Sequence, residues 1–190
     1  MTKKPQASSV SPEYVLLGMI HQQPAHGYDL HERITQQLGQ IWNISLSQTY
    51  NILNRLEERG LITGALEEQE KAPARRRFCS TISGRRHFEA WLHKSTEPSS
   101  HAIRVEFLTR LYFVHATEPE NIGQLIDTQI DDTRAALSRM QTALAELPPD
   151  QVFNRLGLEL RVHQLNSILI WLENCRVQLG GAPPKPTDQT

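Results

Sequence analysis

The feature that most constrains this chain lies between Ile122 and Leu147. Ile122, Ile126, Ile130, Thr133, Leu137, Met140, Leu144 and Leu147 recur at steps of four, four, three, four, three, four and three. That spacing keeps them on one narrow stripe of an α-helix, essentially a coiled-coil seam. A stripe of this kind is not stable facing water, because burying each large apolar side chain is worth about 1.5–3 kcal/mol. Pro148-Pro149-Asp150 breaks the helix, and a second long helix follows with Leu158, Val162, Leu165, Leu169, Leu172 and Leu179 at similar steps. The two are expected to fold back on each other as an antiparallel hairpin. The apolar segment "IRVEFLTRLYFV" before them, and Val152, Leu160, Ile168, Ile170 and Trp171, leave more surface to cover than a hairpin hides. A homodimer through these C-terminal helices covers it; a self-sufficient monomeric bundle is the alternative. Thr117-Glu118-Pro119-Glu120 has the pattern of a capping box with Thr117 as cap.

The first half reads differently. Ser11-Pro12-Glu13 is a helix start, with Ser as N-cap, Pro at the first helical position and an acid in the first turn. The helix that follows carries Tyr14, Leu17 and Ile20 and ends near Pro24. "HGYDLHERITQQL" is a second helix with Leu30, Ile34 and Leu38 on one face, and "SLSQTYNILNRLEERGLI" is a third, stopped by Gly60. Leu61-Ile62-Thr63 and Arg77 to Ile82 are short strands joined by a polar link containing Pro73. Thr81 or Ser83 starts a fourth helix with Phe88, Trp91 and Leu92 as its stripe. Three helices followed by a hairpin is the order of a winged helix. "TEPSSHA", 96–102, has turn composition. The fold class expected is therefore mainly α: an N-terminal winged helix-turn-helix with a two-stranded wing over 11–96, then a helical dimerisation and effector domain over 103–180. Residues 1–10 and 181–190 are disordered ends by composition.

Charge and composition exclude several function classes. A hydrophobic content of 38% and a charged content of 22% in 190 residues fit a soluble globular protein. No apolar run approaches the roughly 18 residues of a membrane span, and the N-terminus lacks a signal-peptide core, so a cytoplasmic location is expected. Cys79 and Cys175 form neither a disulfide framework nor a zinc pattern. The histidines show no metal spacing, and no phosphate loop, nucleophile elbow or carboxylate pair appears, so neither metal, cofactor nor enzyme activity is expected. The net charge is −1, yet up to Ser95 there are 12 Lys+Arg against 9 Asp+Glu, a balance of +3, and beyond it 8 against 12, a balance of −4. If either half meets a polyanion it is the first; chance scatter of surface charge is the bland alternative.

The third helix looks like a probe. On a wheel, Leu46, Thr49, Tyr50, Ile52, Leu53, Leu56 and Gly60 fall on one half; Ser47, Gln48, Asn51, Asn54, Arg55, Glu58 and Arg59 fall on the other. Asn and Gln can pair bidentately with adenine, Arg with guanine, and Ser with any base, so this face suits a major groove. Ser45 and Gln48 also fit a capping box, which leaves Gln48 open between cap and base contact. An ordinary solvated face is the alternative for Asn51, Asn54 and Arg55. In the wing, Lys71, Arg75, Arg76 and Arg77 are placed to meet phosphates or a minor groove, with Glu67, Glu68 and Glu70 weakening the local field. Tyr28 joins these as a DNA-binding candidate.

With these pieces placed, the chain resembles the PadR family of bacterial transcriptional regulators. The residues that carry the likeness are "GYDLHERI", "WNISLSQTYNILNRLEERGLI", the "RRRF…TISGRR" wing, "RVEFLTRLYF" and "WLE", reaching from Ser9 to about Leu179. The long C-terminal part is similar to the family's larger-tailed subgroup. The resemblance implies a dimeric repressor, with Tyr50 near the DNA backbone, the wing cations on phosphates, and release by a small molecule, including phenolic acids in the family, held in a cavity. Trp91, Tyr112, Phe113, His115, His163 and Trp171 are the candidates for such a pocket, core packing being the alternative for each aromatic. Ser80 and Arg77 depart from the family pattern, which has an aliphatic and often an aromatic there. A double-stranded operator read as an inverted repeat is the implied partner. A winged helix that binds protein, with the C-terminal helices as assembly scaffold, is the rival reading.

Overall fold

The computed structural model describes residues 11–69 and 72–179. Lys71 and the ends expected to be disordered, 1–10 and 181–190, lie outside the described residues. The chain divides into two compact units, Met1–Lys94 and Ser95–Thr190.

In the first unit, helix α1 (Glu13–Gln22) buries every residue from Val15 to Ile20, because α2 (Gly27–Leu38), α3 (Leu46–Glu58), α4 (Ile82–Leu92) and a strand all pack on it. Its start differs from expectation by one residue. Pro12 is itself the N-cap, and the Ser11 hydroxyl accepts from the Glu13 N–H. The wing is larger than the two-stranded hairpin expected. Strands β2 (Ile62–Gln69) and β3 (Ala72–Ser80) pair antiparallel, and β1 (Ala25–His26) adds to the other side of β3, giving the order β1-β3-β2. A two-residue strand between Pro24 and Gly27 has no room for an alternating pattern, so nothing in the sequence announces it. Pro73, expected in the link, stands inside β3.

The junction between α3 and the wing is set by three residues. Gly60 adopts φ +68, which an L side chain disfavours, and the Gly60 and Leu61 N–H groups close back on the carbonyls of Glu57 and Leu56. Thr81 caps α4 by accepting from Gly84 N–H and also donates to the Gly60 carbonyl at 2.7 Å. Gly84 has no space for a side chain, since a Cβ there would stand 1.9 Å from the Leu61 carbonyl oxygen.

In the second unit, α5 (Ser100–Ala102) runs through a π-helical stretch, Ile103–Phe107, into α6 (Leu108–Thr117). Helices α7 (Ile122–Glu146) and α8 (Val152–Leu179) form the expected hairpin, clasped by ion pairs Arg134–Glu173 at 3.2 Å and Arg176–Asp127 at 3.0 Å. The α7 seam is fully buried at Ile122, Ile126, Ile130 and Thr133 but only half-buried from Leu137 onward. On α8 the buried positions are Leu165, Ile168 and Leu172. The Thr117 capping box does not form. The Thr117 hydroxyl donates to the Phe113 carbonyl of its own helix, and Pro119–Asn121 make a separate 3₁₀ turn beginning after Glu118. Thr96, expected in a loose turn, is buried, because fully buried Arg110 donates to both the Thr96 hydroxyl and Glu106 while Gln129 donates to the Thr96 carbonyl at 3.1 Å. Among the described residues no helix is long and apolar enough to cross a membrane.

Candidate nucleic-acid interface

The site is built on α3. Thr49, Ile52, Leu53 and Leu56 are buried and seat the helix. Ser47, Gln48, Asn51, Asn54 and Arg55 are exposed, and so is Tyr50, which the wheel had grouped with the apolar half. The capping box closes in both directions: Ser45 N–H donates to Gln48 Oε1 at 2.8 Å and Gln48 N–H to Ser45 Oγ at 3.2 Å. Gln48 is thus engaged as a cap. Ser47, Asn51 and Asn54 have no hydrogen-bond partner for their side chains among the described residues, and they form an uncharged row along the outer face of the first turns.

Two candidate tyrosines are exposed as well. Tyr28 is 55% exposed and Tyr50 42%. The Tyr50 ring lies close against the first residue of α2: a Cβ on Gly27 would stand 2.6 Å from the ring and would push it outward. A tyrosine hydroxyl held beside the N–H groups that open a helix is suited to an anion. Thr49 ties the two helices, its hydroxyl lying 3.4 Å from His31 Nδ1.

The cations are less free than a basic run suggests. Glu13 on α1 faces Arg55 of α3 and Arg59 at its C-cap, with Oε1 3.3 Å from Arg55 Nε and Oε2 2.5 Å from Arg59 Nη1. In the wing, Arg76 donates to Glu57 Oε1 at 2.7 Å and lies over the Phe78 ring, while Gly64 N–H donates to the same carboxylate oxygen at 2.9 Å. Arg76 is therefore a strut between α3 and the wing. Arg77 reaches Glu67 at 3.6 Å, and Glu67 is also 3.3 Å from His26 of β1. Arg75 is exposed and has no ionic partner among the described residues. Glu13, Glu57 and Gly27 were absent from the candidates; the acid in the first turn of α1 was the only signal for Glu13, and it reads as helix-start chemistry.

The six effector candidates are divided between the two units. Trp91 belongs to the core of the first unit, stacked on Tyr14 at 4.6 Å and beside Phe88. Phe113 is buried against Tyr112, and His115 is exposed. His163 and Trp171 do come together, in a groove of about 460 Å³ within the second unit, walled by Ile103, Leu108 and Ile168 and rimmed by Arg104. Nearby on α8, burial pushes the Cys175 thiol pKa up from its ordinary value.

Residues 16–90 match the sequence profile of the transcriptional regulator PadR-like family, and residues 103–180 match that of the virulence activator alpha C-terminal region. The negative transcriptional regulator PadR of Bacillus subtilis (strain 168) is 27% identical over 135 residues, 71% of this chain and 74% of that protein. Among solved structures, Bacillus subtilis PadR in complex with operator DNA is similar at 25% identity, covering 88% of this chain and 98% of that one with a TM-score of 0.44. The same protein in complex with p-coumaric acid is similar at 24% identity, covering 89% and 98%, with a TM-score of 0.39.

Proposed function

Because the chain belongs to the PadR-like family of transcriptional regulators, and so is no enzyme, we propose that it is a sequence-specific repressor that binds an inverted-repeat operator as a homodimer and is released by a small molecule. The observation that carries the DNA reading is the row Ser47, Asn51 and Asn54. These side chains are exposed, uncharged and without hydrogen-bond partners among the described residues, along the outer face of the helix that a winged helix-turn-helix inserts into the major groove. Exposed Arg75 on β3 supplies a phosphate contact from the wing. The negative role named for the Bacillus subtilis relative supports repression.

Two further parts of the proposal rest on the second unit. Helix α8 presents exposed Phe153, Leu156, Leu160, Ile170 and Val177, and a second copy of the same helix is the occupant we assign to that stripe. The groove holding His163 and Trp171 has apolar walls and one cation, Arg104, which suits a flat apolar molecule with a single anionic group.

Mobility shifts with DNA from upstream of the chain's own coding region test the reading. Affinity should fall steeply as salt rises, because phosphate contacts release counterions. Asn51→Ala should lower affinity by about 1–3 kcal/mol through one base position and have little effect on random DNA. Half-sites should lie about one helical turn, or a multiple, apart. No shift at low salt with any such DNA would favour a winged helix that binds protein, and light scattering of a monomer at micromolar concentration would remove the dimer.

A further inference from the structure

Arg55 has an unusual tether. It stands one turn beyond Asn51 on the exposed face of α3, and its side chain is 53% exposed. Only its inner edge is engaged: Nε lies 3.3 Å from Glu13 Oε1. Among the described residues, the two amino groups of its outer edge have no partner. That outer edge is the fork that matches guanine O6 and N7. Glu13 is in turn fixed from the other side, its second oxygen taken by Arg59 at 2.5 Å. Its own backbone N–H is held by the Ser11 hydroxyl at 3.3 Å. A carboxylate pinned by two cations and a helix start cannot follow Arg55 as it swings.

We propose that Glu13 is a positioning residue that holds the inner edge of Arg55 so that its outer edge is presented to a base, making an acid on α1 a determinant of which base α3 reads. The inference rests on the DNA-binding reading above. The physical reason is preorganisation: a guanidinium already oriented at one edge gives up less rotational freedom when the other edge binds. The charge balance points the same way. Glu13 neutralises one of the cations Arg55 and Arg59, which reduces the attraction of this face for DNA of any sequence and leaves geometry to discriminate.

The test is selection of bound sequences from a random double-stranded library by the full chain, comparing wild type, Arg55→Ala, Glu13→Ala and Glu13→Gln, with a thermal melt of each. Wild type should enrich a motif. Arg55→Ala should lose preference at one position of each half-site, and Glu13→Ala should lose it at the same position, by roughly 5-fold to 100-fold in base discrimination. Glu13→Gln, which keeps the shape of the side chain without its charge, should lose it as Glu13→Ala does, because the contact with Nε is an ion pair. A helix merely destabilised by losing Glu13 would weaken every position together. Glu13→Ala with the full wild-type preference would overturn the proposal. So would Glu13→Gln with the full wild-type preference, or Arg55→Ala losing no position. A wild-type chain that enriches nothing would instead bring down the DNA-binding reading itself.

Discussion

Gly27 offers a way to move one candidate contact without touching the helix that carries it. An added Cβ would stand 2.6 Å from Tyr50 Cε1 and 2.8 Å from Cζ, where ordinary contact begins at 3.4 Å. The ring must therefore retreat by about 0.8 Å (3.4 − 2.6). Retreat is easy, since Tyr50 is 42% exposed and can turn outward. Gly27 is the first residue of α2, and no positive φ is found there, so alanine fits the backbone and gains about 0.5–1 kcal/mol as a helix former. Gly27→Ala should then fold within about 1 kcal/mol of wild type, while the displaced hydroxyl loses a hydrogen bond to a charged phosphate worth about 1.5–3 kcal/mol. That is roughly a tenfold to hundredfold weaker complex. Fluorescence anisotropy with a labelled operator fragment, alongside urea denaturation, measures both quantities. Tyr50→Phe should show a similar loss, and the double variant should add little to either. Wild-type affinity for Gly27→Ala, or fully additive losses, would refute the contact.

Ser45→Ala should destabilise the first unit by about 0.5–2 kcal/mol, because it opens the capping box; Gln48→Ala should destabilise it less, and sequence selection should find base preference unchanged in both. Arg110→Met should destabilise the second unit by about 3–5 kcal/mol, since it leaves the buried Glu106 carboxylate without its cation. The double change Arg110→Met with Glu106→Leu should recover most of that loss in denaturant melts followed by Trp171 fluorescence. A single change as mild as the double would mean the pair is not electrostatically coupled.

What the sequence could show follows the range of the interactions. Leu30, Ile34 and Leu38 on α2, and Ile52, Leu53 and Leu56 on α3, are legible because a buried helix face repeats every three or four residues. Strand β1 is not, because its pairing with Arg77 and Phe78 reaches across half a domain for only two residues. Thr117 misled because a local pattern of Thr, Pro and Glu is shared by a capping box and by a helix end followed by a 3₁₀ turn. At the site, the uncharged row of α3 was visible as composition on one face. Which cations are engaged was not: Arg76 finds Glu57 19 residues away and Arg59 finds Glu13 46 residues away. Local charge runs therefore overstate the free positive charge of the wing, leaving Arg75 as its exposed arginine without an ionic partner among the described residues.

Helix α8 carries the same lesson into a prediction about assembly. Leu165, Ile168 and Leu172 are buried, while Phe153, Leu156, Leu160, Ile170 and Val177 are exposed and centre on the other side of the helix at about 100° per residue. Their separations of three, four, ten and seven residues are sums of heptad steps, so they form a second seam. A helix apolar on two sides needs a partner for each; packing within the chain covers one, and the second copy of α8 proposed above would cover the other. Changing Leu160 and Ile170 together to Glu should then abolish the dimer in light scattering while leaving the far-ultraviolet helical signal in place, because both side chains are already exposed within one chain, at 59% and 63%. With the dimer gone, affinity for a single half-site should persist and affinity for the inverted repeat should fall to the same level, since linked binding is what raises it. A double variant that still scatters as a dimer would place the interface elsewhere.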